Sequence, residues 1–228
     1  MHRTVRLQLI LGNKVYSSWS LRGWLLFKPF GIAFDQQVVP LYTDDFEAFR
    51  TNTFPARQVP TLVVSGGETP LVIWDSLSIA EFLHEQHPDA GIWPKDPAAR
   101  AAARSLCAEM HSGFQALRST MPMNLRRRYS TFQPSEDAAA DIERVYTLWR
   151  WARDNWGDGG PYLFGEQFTA ADAFFAPVAA RFRTYGVVPD GKPAAYVDTL
   201  LSHPSTVAFN RDSEKEVWVM DHNELEID

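Results

Sequence analysis

Along residues 1–87 the apolar positions switch between a period of two and a helical period, as they do where strands alternate with helices. Val5 to Leu11 reads as a strand. Ser20 to Phe30 reads as a helix ending at Gly31, and Phe34 to Pro40 as a second strand. A weak helix is predicted over Asp44 to Thr51, with Asp44 or Asp45 as its cap. Thr61 to Val64 and Leu71 to Trp74 are short strands flanking Ser65-Gly66-Gly67, a hairpin signal. Ser76 to His87 follows as a helix with apolar Leu77, Ile79, Ala80, Phe82 and Leu83. The predicted order is βαβαββα.

Beyond His87 the pattern changes. Pro88 to Pro97, with Gly91, Pro94 and two aspartates, reads as a linker. From there the spacing is helical throughout. Leu106, Met110, Phe114 and Leu117 recur at four, four and three, and Ile142, Val145, Tyr146, Trp149 and Ala152 form a second apolar face. Asp158 to Pro161 is a loop, and Phe168-Thr169-Ala170-Ala171-Asp172 opens another helix. There Thr169 can cap, Asp172 can reach back to the Thr169 amide, and Phe168 can staple against Ala173. Pro177 inside that helix removes one backbone hydrogen bond. The expected fold class is therefore α/β plus all-α, in three stretches: 1–87 as a thioredoxin-like domain, 88–97 as linker, and 98–228 as an all-helical domain. The βαβαββα order is that of a thioredoxin-like domain, though other small α/β folds share parts of it.

Composition narrows the function classes. The chain has 228 residues and a net charge of −6, so a nucleic-acid partner is not expected. Its one basic cluster, Arg126-Arg127-Arg128, lacks interleaved aromatics and reads as a solvated helix end or a small anion contact. Eight Trp and fifteen Phe fit a packed core rather than a disordered chain. The single cysteine, Cys107, excludes an intrachain disulfide, suits a reducing cytosol, and sits on an apolar face as core. No run is long enough for a membrane span or a signal peptide, so a soluble, cytoplasmic protein is expected. No spacing of His, Cys or Asp reads as a metal site.

Three short segments carry chemistry. The apolar strand breaks at Gly12-Asn13 and delivers Tyr16, Ser17, Ser18 and Ser20 to the start of an apolar helix. Hydroxyls there sit beside unpaired amides and the positive end of the helix dipole, a place to hold an anion. Serines also cap helices routinely, and on this segment alone that reading is the stronger one. Val59-Pro60 precedes a strand, where an X-Pro bond is either trans, as most are, or cis. Asp75-Ser76 lies at a helix N-terminus, where free amides and the Ser76 hydroxyl can bind a carboxylate, or simply cap the helix.

In order and spacing, Ser17-Ser18-Trp19-Ser20-Leu21-Arg22, Gln58-Val59-Pro60-Thr61 and Asp75-Ser76-Leu77 together resemble the glutathione transferase superfamily, closest to its serine-type zeta-like members. The resemblance implies glutathione as co-substrate, a small electrophile as second substrate and a homodimer, without a metal. It implies that Ser17 stabilises the thiolate, with Ser18 and Ser20 as competing candidates. Lowering the thiol pKa by about two units needs roughly 2.7 kcal/mol, which one charge-assisted hydrogen bond can largely supply. The implied glutathione contacts are Ser18, Trp19, Ser20, Arg57, Gln58, Val59, Pro60, Asp75 and Ser76. Gln115 joins them because Gly113-Phe114-Gln115 resembles the zeta-like Gly-Ile-Gln. Tyr16, Trp19, His111, Arg118 and Met121 are the expected substrate pocket, with Arg118 either holding an acidic substrate or pairing with a surface carboxylate. The departure is Trp19, which stands where zeta-like members carry the cysteine belonging to the maleylacetoacetate isomerase signature. Cis–trans isomerisation is thus the first alternative to conjugation, and a non-catalytic glutathione-binding protein the second.

Overall fold

The computed structural model describes residues 5–187 and 191–226. Its sheet has the order β2-β1-β3-β4, from β1 (Arg6–Leu11), β2 (Asp35–Val38), β3 (Thr61–Ser65) and β4 (Leu71–Trp74). β1 and β2 are parallel, with Ile10 opposite Gln37, and so need the crossover that α1 (Ser18–Leu25) provides. β3 runs antiparallel to β1, with Gln8 opposite Val63, and β4 antiparallel to β3. α2 (Asp44–Asn52) lies between β2 and β3, and α3 (Ser76–Gln86) follows β4, completing βαβαββα.

Several boundaries differ from the sequence expectation for physical reasons. α1 begins two residues earlier, because Ser17 is its N-cap, and ends at Leu25. Pro29 cannot continue the α-helical ladder, so Lys28–Phe30 is a 3-10 turn closed by Gly31 at φ 66°. The cap of α2 is Thr43, whose hydroxyl accepts from the Phe46 amide at 3.4 Å, so Asp44 and Asp45 fall inside the first turn. The spacing that joined Leu106 to Leu117 crosses a break. α4 (Pro97–Ser112) stops at Gly113, Phe114 takes a left-handed φ of 61°, and α5 (Gln115–Thr120) restarts.

The remaining helices are α6 (Glu136–Trp156), α7 (Ala170–Tyr185), α8 (Lys192–Ser202) and α9 (Pro204–Ser213). α7 is buried along almost its whole length and packs on α1, α4 and α8. Its capping box forms as expected: Asp172 accepts from the Thr169 amide at 2.8 Å and the Thr169 hydroxyl at 2.9 Å. The same carboxylate also accepts from the Leu163 amide and the Tyr196 hydroxyl, tying the preceding loop and α8 to the cap. One apolar cluster runs from Leu9 and Leu11 in the sheet through Leu21 and Leu25 to Phe174, Phe182 and Trp149. The 88–97 segment joins it: Ile92 and Trp93 are buried, and the Ile92 carbonyl accepts from the Ala170 amide at 2.8 Å. Among the described residues no helix is long and apolar enough to cross a membrane.

Gly23 sets how closely α1 approaches the start of β3. A Cβ there would stand 2.6 Å from Pro60 Cβ, well inside contact distance.

Candidate active site

The N-terminus of α1 is organised by three serines that do different things. Ser20 is fully buried; its hydroxyl accepts from the Gly12 amide at 2.8 Å and donates to Ser17 Oγ at 2.8 Å. Ser17 Oγ also accepts from the Ser20 amide at 3.1 Å. Both acceptor positions of Ser17 are thus taken, which leaves its own proton for an acceptor in the adjoining cavity. Ser18 Oγ accepts from Arg181 Nη2 at 3.3 Å.

Two cavities meet at Trp19. The first, about 430 Å³, is lined by Gln58, Val59, Pro60, Asp75, Ser76, His111, Ser112 and Gln115. The Val59–Pro60 bond is cis, as is Phe54–Pro55. β3 pairs with its neighbours from Thr61 onward, so the Val59 amide and carbonyl lie outside the ladder, and Val59 lines the cavity. At the cavity's other end Asp75 caps α3 with a φ of 79°. Its Oδ1 accepts from the Leu77 amide at 2.8 Å, and Oδ2 lies 3.1 Å from His111 Nε2. Burial holds His111 below its ordinary pKa, with Arg22 and Arg118 acting in the same direction and Asp75 opposing them. Ser76 is fully buried and its hydroxyl has no partner among the described residues. A hydroxyl and helix amides at one point suit a carboxylate.

The second cavity, about 370 Å³, is lined by Tyr16, Ser17, Ser18, Leu41, Arg118, Met123, Arg181 and other residues. Among the described residues Arg118 and Arg181 in its wall form no salt bridge. Arg181 is 4% exposed and, among the described residues, donates to the Met121 and Pro177 carbonyls and to Ser18. Burial, with Arg118 nearby, pulls its pKa down to about 9. Arg118 forms no ion pair among the described residues, although the Asp141 carboxylate acts on it through space; its guanidinium donates to the Met110, Gly113 and His111 carbonyls, capping the end of α4. Two guanidinium groups lie over the Trp19 ring, Arg22 at 4.3 Å and Arg118 at 5.1 Å, and the ring meets His111 edge-on. Among the described residues no three His, Cys, Asp or Glu side chains are grouped to hold a metal ion.

The expected site residues therefore divide. Trp19, Gln58, Val59, Pro60, Asp75, Ser76 and Gln115 line the first cavity, and Tyr16, Ser17, Ser18, Trp19 and Arg118 the second. Four expected residues are placed differently. His111 lines the first cavity, its Nε2 3.1 Å from Asp75 Oδ2 at the α3 cap, and is absent from the wall of the second. Met121 is fully buried in the core and lines neither cavity; only its carbonyl reaches the site, through Arg181. Ser20 turns inward to the Gly12 amide. Arg57 is exposed and stands outside both walls.

Sequence reasoning missed two contributors. Arg181 could have been found as the cation on the otherwise apolar Ala176-to-Phe182 run. Residues 214–226 carry no local signal, yet Met220, His222 and Asn223 line the second cavity, and Glu224 accepts from the Tyr16 hydroxyl at 2.7 Å.

Two family models match the chain: "Glutathione S-transferase, N-terminal domain" over residues 16–86 and "Glutathione S-transferase, C-terminal domain" over 135–197. A Caenorhabditis elegans protein named "Probable maleylacetoacetate isomerase" is 28% identical over 202 residues, covering 86% of this chain and 89% of its own. The Mus musculus maleylacetoacetate isomerase is 25% identical over 183 residues, 75% of each chain. Among solved structures, the maleylacetoacetate isomerase of Anaeromyxobacter dehalogenans 2CP-1, with bound GSH in the active site, superposes with a TM-score of 0.68. It is 24% identical and covers 94% of this chain and 99% of that one, a likeness of fold.

Proposed function

The chain belongs to the glutathione S-transferase family through both of its halves, and from that premise we propose that it activates glutathione at Ser17 and transfers it to a small acidic electrophile. The observation that carries this reading is the Ser17 hydroxyl. It sits at the N-cap of α1 with its acceptor positions filled from Ser20 and its proton left over. A thiolate accepting that proton is stabilised by one charge-assisted hydrogen bond and by the helix dipole. The first cavity supplies what the tripeptide needs: Ser76 and the α3 amides for the γ-glutamyl carboxylate, the Asp75 carboxylate for its ammonium, and the Val59 backbone for peptide pairing.

In the reaction, the thiol proton leaves to solvent and the sulfur electron pair forms the bond to the electrophilic carbon. The displaced group departs with its own pair. Ser17 stabilises the attacking charge, and no covalent bond to the protein is needed. The second cavity supports an acidic electrophile, because buried Arg181, whose acceptors among the described residues are all neutral, lines it together with Arg118. A buried cation lacking a counter-charge gains most from an anionic ligand. The protein acts in the cytoplasm as a homodimer in this reading, its domains being 1–87 and 98–228 about the 88–97 segment.

The same arginines favour one second reading, cis–trans isomerisation of an acidic substrate, in which sulfur adds, a bond rotates and the thiol leaves. The test is titration of protein-bound glutathione by thiolate absorbance in wild type and Ser17→Ala, followed by turnover on a panel of acidic and neutral electrophiles. The transferase reading expects a depressed thiol pKa that Ser17→Ala restores, and consumption of glutathione. Turnover with glutathione returned intact selects isomerisation. Binding with an unchanged thiol pKa and no turnover refutes both and leaves a carrier.

A further inference from the structure

Three consecutive residues precede Ser17, and each is held by an acidic side chain from the C-terminal stretch 212–224. Lys14 extends its ammonium to Asp212 Oδ2 at 2.9 Å and Gln36 Oε1 at 2.8 Å; its side chain is 3% exposed and lies over the Trp24 ring. The Lys14 and Val15 amides donate to the two oxygens of Glu216, at 2.8 and 3.2 Å. The Tyr16 hydroxyl donates to Glu224 Oε1 at 2.7 Å. Met220 packs on Val15 and Tyr16 between these ties.

The segment that makes these contacts is itself anchored. Glu224 also accepts from Asn124 Nδ2 at 3.0 Å and Arg127 Nε at 2.6 Å. Asn124 holds the Asn223 carbonyl, the Tyr129 hydroxyl accepts from the Leu225 amide, and Arg126 donates to the Glu216 carbonyl. Residues 124–129 thus fix the strap, and the strap fixes residues 14–16. Within the loop, the Tyr16 and Ser17 amides both donate to the Asn13 carbonyl, so a shift at Lys14 or Val15 carries directly to Ser17. A bidentate carboxylate accepting two successive backbone amides defines position more tightly than apolar contact does.

We propose that Glu216 and Glu224 are positioning residues for Ser17: the C-terminal strap sets the reach of the serine hydroxyl to the sulfur and so sets how far the thiol is activated. The proposal rests on the glutathione reading above. Glu216→Gln replaces one acceptor oxygen by an NH2 group facing a backbone amide, and Tyr16→Phe removes the tie to Glu224 from the loop side. Neither residue lines the first cavity; Glu216 lines neither cavity, whereas Tyr16 lines the second beside Ser17.

The experiment titrates glutathione bound to the full-length protein by thiolate absorbance. Glutathione affinity and thermal melting are measured alongside, for wild type, Glu216→Gln, Tyr16→Phe and Arg144→Ala. Arg144 pairs with Glu109 on the α4–α6 surface, away from the loop, and reports on general loosening. The expected result is a thiol pKa about one unit higher in Glu216→Gln and Tyr16→Phe, or roughly tenfold less thiolate below the pKa. Affinity should change less than about threefold, and Arg144→Ala should match wild type. If Glu216→Gln does not fold, Tyr16→Phe carries the test alone. Folded variants with the wild-type thiol pKa overturn the strap's role, as does an equal rise in Arg144→Ala. A wild-type protein that leaves the thiol pKa at its free value overturns the glutathione reading itself.

Discussion

Asp172 allows a sharp energetic prediction. Its buried carboxylate collects four donors: the Thr169 amide and hydroxyl on one oxygen, the Leu163 amide and the Tyr196 hydroxyl on the other. Burial pushes its carboxyl up from the ordinary range while the four donors pull it down, so the intact network contributes less than the sum of its bonds. Breaking it is another matter. Asp172→Ala leaves two buried amides unpaired at about 1–3 kcal/mol each, and two hydroxyls that must find other acceptors. The expected loss is about 3–5 kcal/mol, a large fraction of the stability of an ordinary domain. Asp172→Asn keeps one oxygen and turns an NH2 toward donors, for about 2–3 kcal/mol, and Tyr196→Phe removes one bond to a charged acceptor, for about 1.5–3 kcal/mol. Thr169→Ala deletes the cap hydroxyl alone, at about 1 kcal/mol. Urea unfolding followed by tryptophan fluorescence checks the series, since the chain's eight tryptophans report global unfolding and Trp149 packs 4.9 Å from Tyr196. If Asp172→Ala costs no more than Thr169→Ala with an unchanged denaturant slope, the carboxylate is only a helix cap and the network argument fails.

Three further outcomes follow from the site and its supports. Ser76→Ala deletes a buried hydroxyl that has no partner among the described residues; thermal stability should stay within about 0.5 kcal/mol while glutathione affinity measured by calorimetry falls roughly tenfold. Lost stability with unchanged affinity would show that the hydroxyl serves the fold. Gly23→Ala puts a methyl 2.6 Å from Pro60 Cβ; overpacking of about 1–3 kcal/mol should outweigh the helix-propensity gain of about 1 kcal/mol, and KM for glutathione should rise as Pro60 is displaced. His203 caps α9 by accepting from the Ser205 amide at 3.1 Å, and burial lowers its pKa. Between the folded pKa and the unfolded value near 6.5 the unfolded chain binds the extra proton, so stability is fully present above about pH 6.5 and is lost as pH falls through the folded pKa. His203→Asn keeps a capping acceptor without the titration and should show a shallower acid slope in melting; an unchanged slope would assign the acid loss elsewhere, His111 being the other histidine shifted the same way.

The elements that sequence predicts well are those whose cause is local. β1, the β3–β4 hairpin and the Thr169–Asp172 box all follow from neighbours within a few residues, and the structure places them close to where patterning does. Phe114 shows the limit of periodicity. Its spacing from Met110 is helical, yet its ring is buried from a left-handed backbone position between two helices. Side-chain period alone cannot distinguish a continuous face from two helices that meet on one core. Similarly, three serines in one segment are equivalent by type, and only the direction of the strand ending at Leu11 turns Ser20 toward the Gly12 amide and leaves Ser17 at the cavity.

The largest illegible part is the C-terminal strap, and its reason is topological. Glu216 and Glu224 meet Lys14, Val15 and Tyr16 across some two hundred positions of chain, and a lone glutamate in a polar stretch has no periodicity to announce it. What makes the contact possible is the placement of α1 against both α7 and α9, which brings the end of the helical half over the loop before Ser17. The residue that would activate sulfur is thus read from the first twenty positions, whereas the loop before it is held by carboxylates at 212, 216 and 224. Motif residues identify where an anion is held; how strongly it is held depends on contacts that only the folded chain assembles.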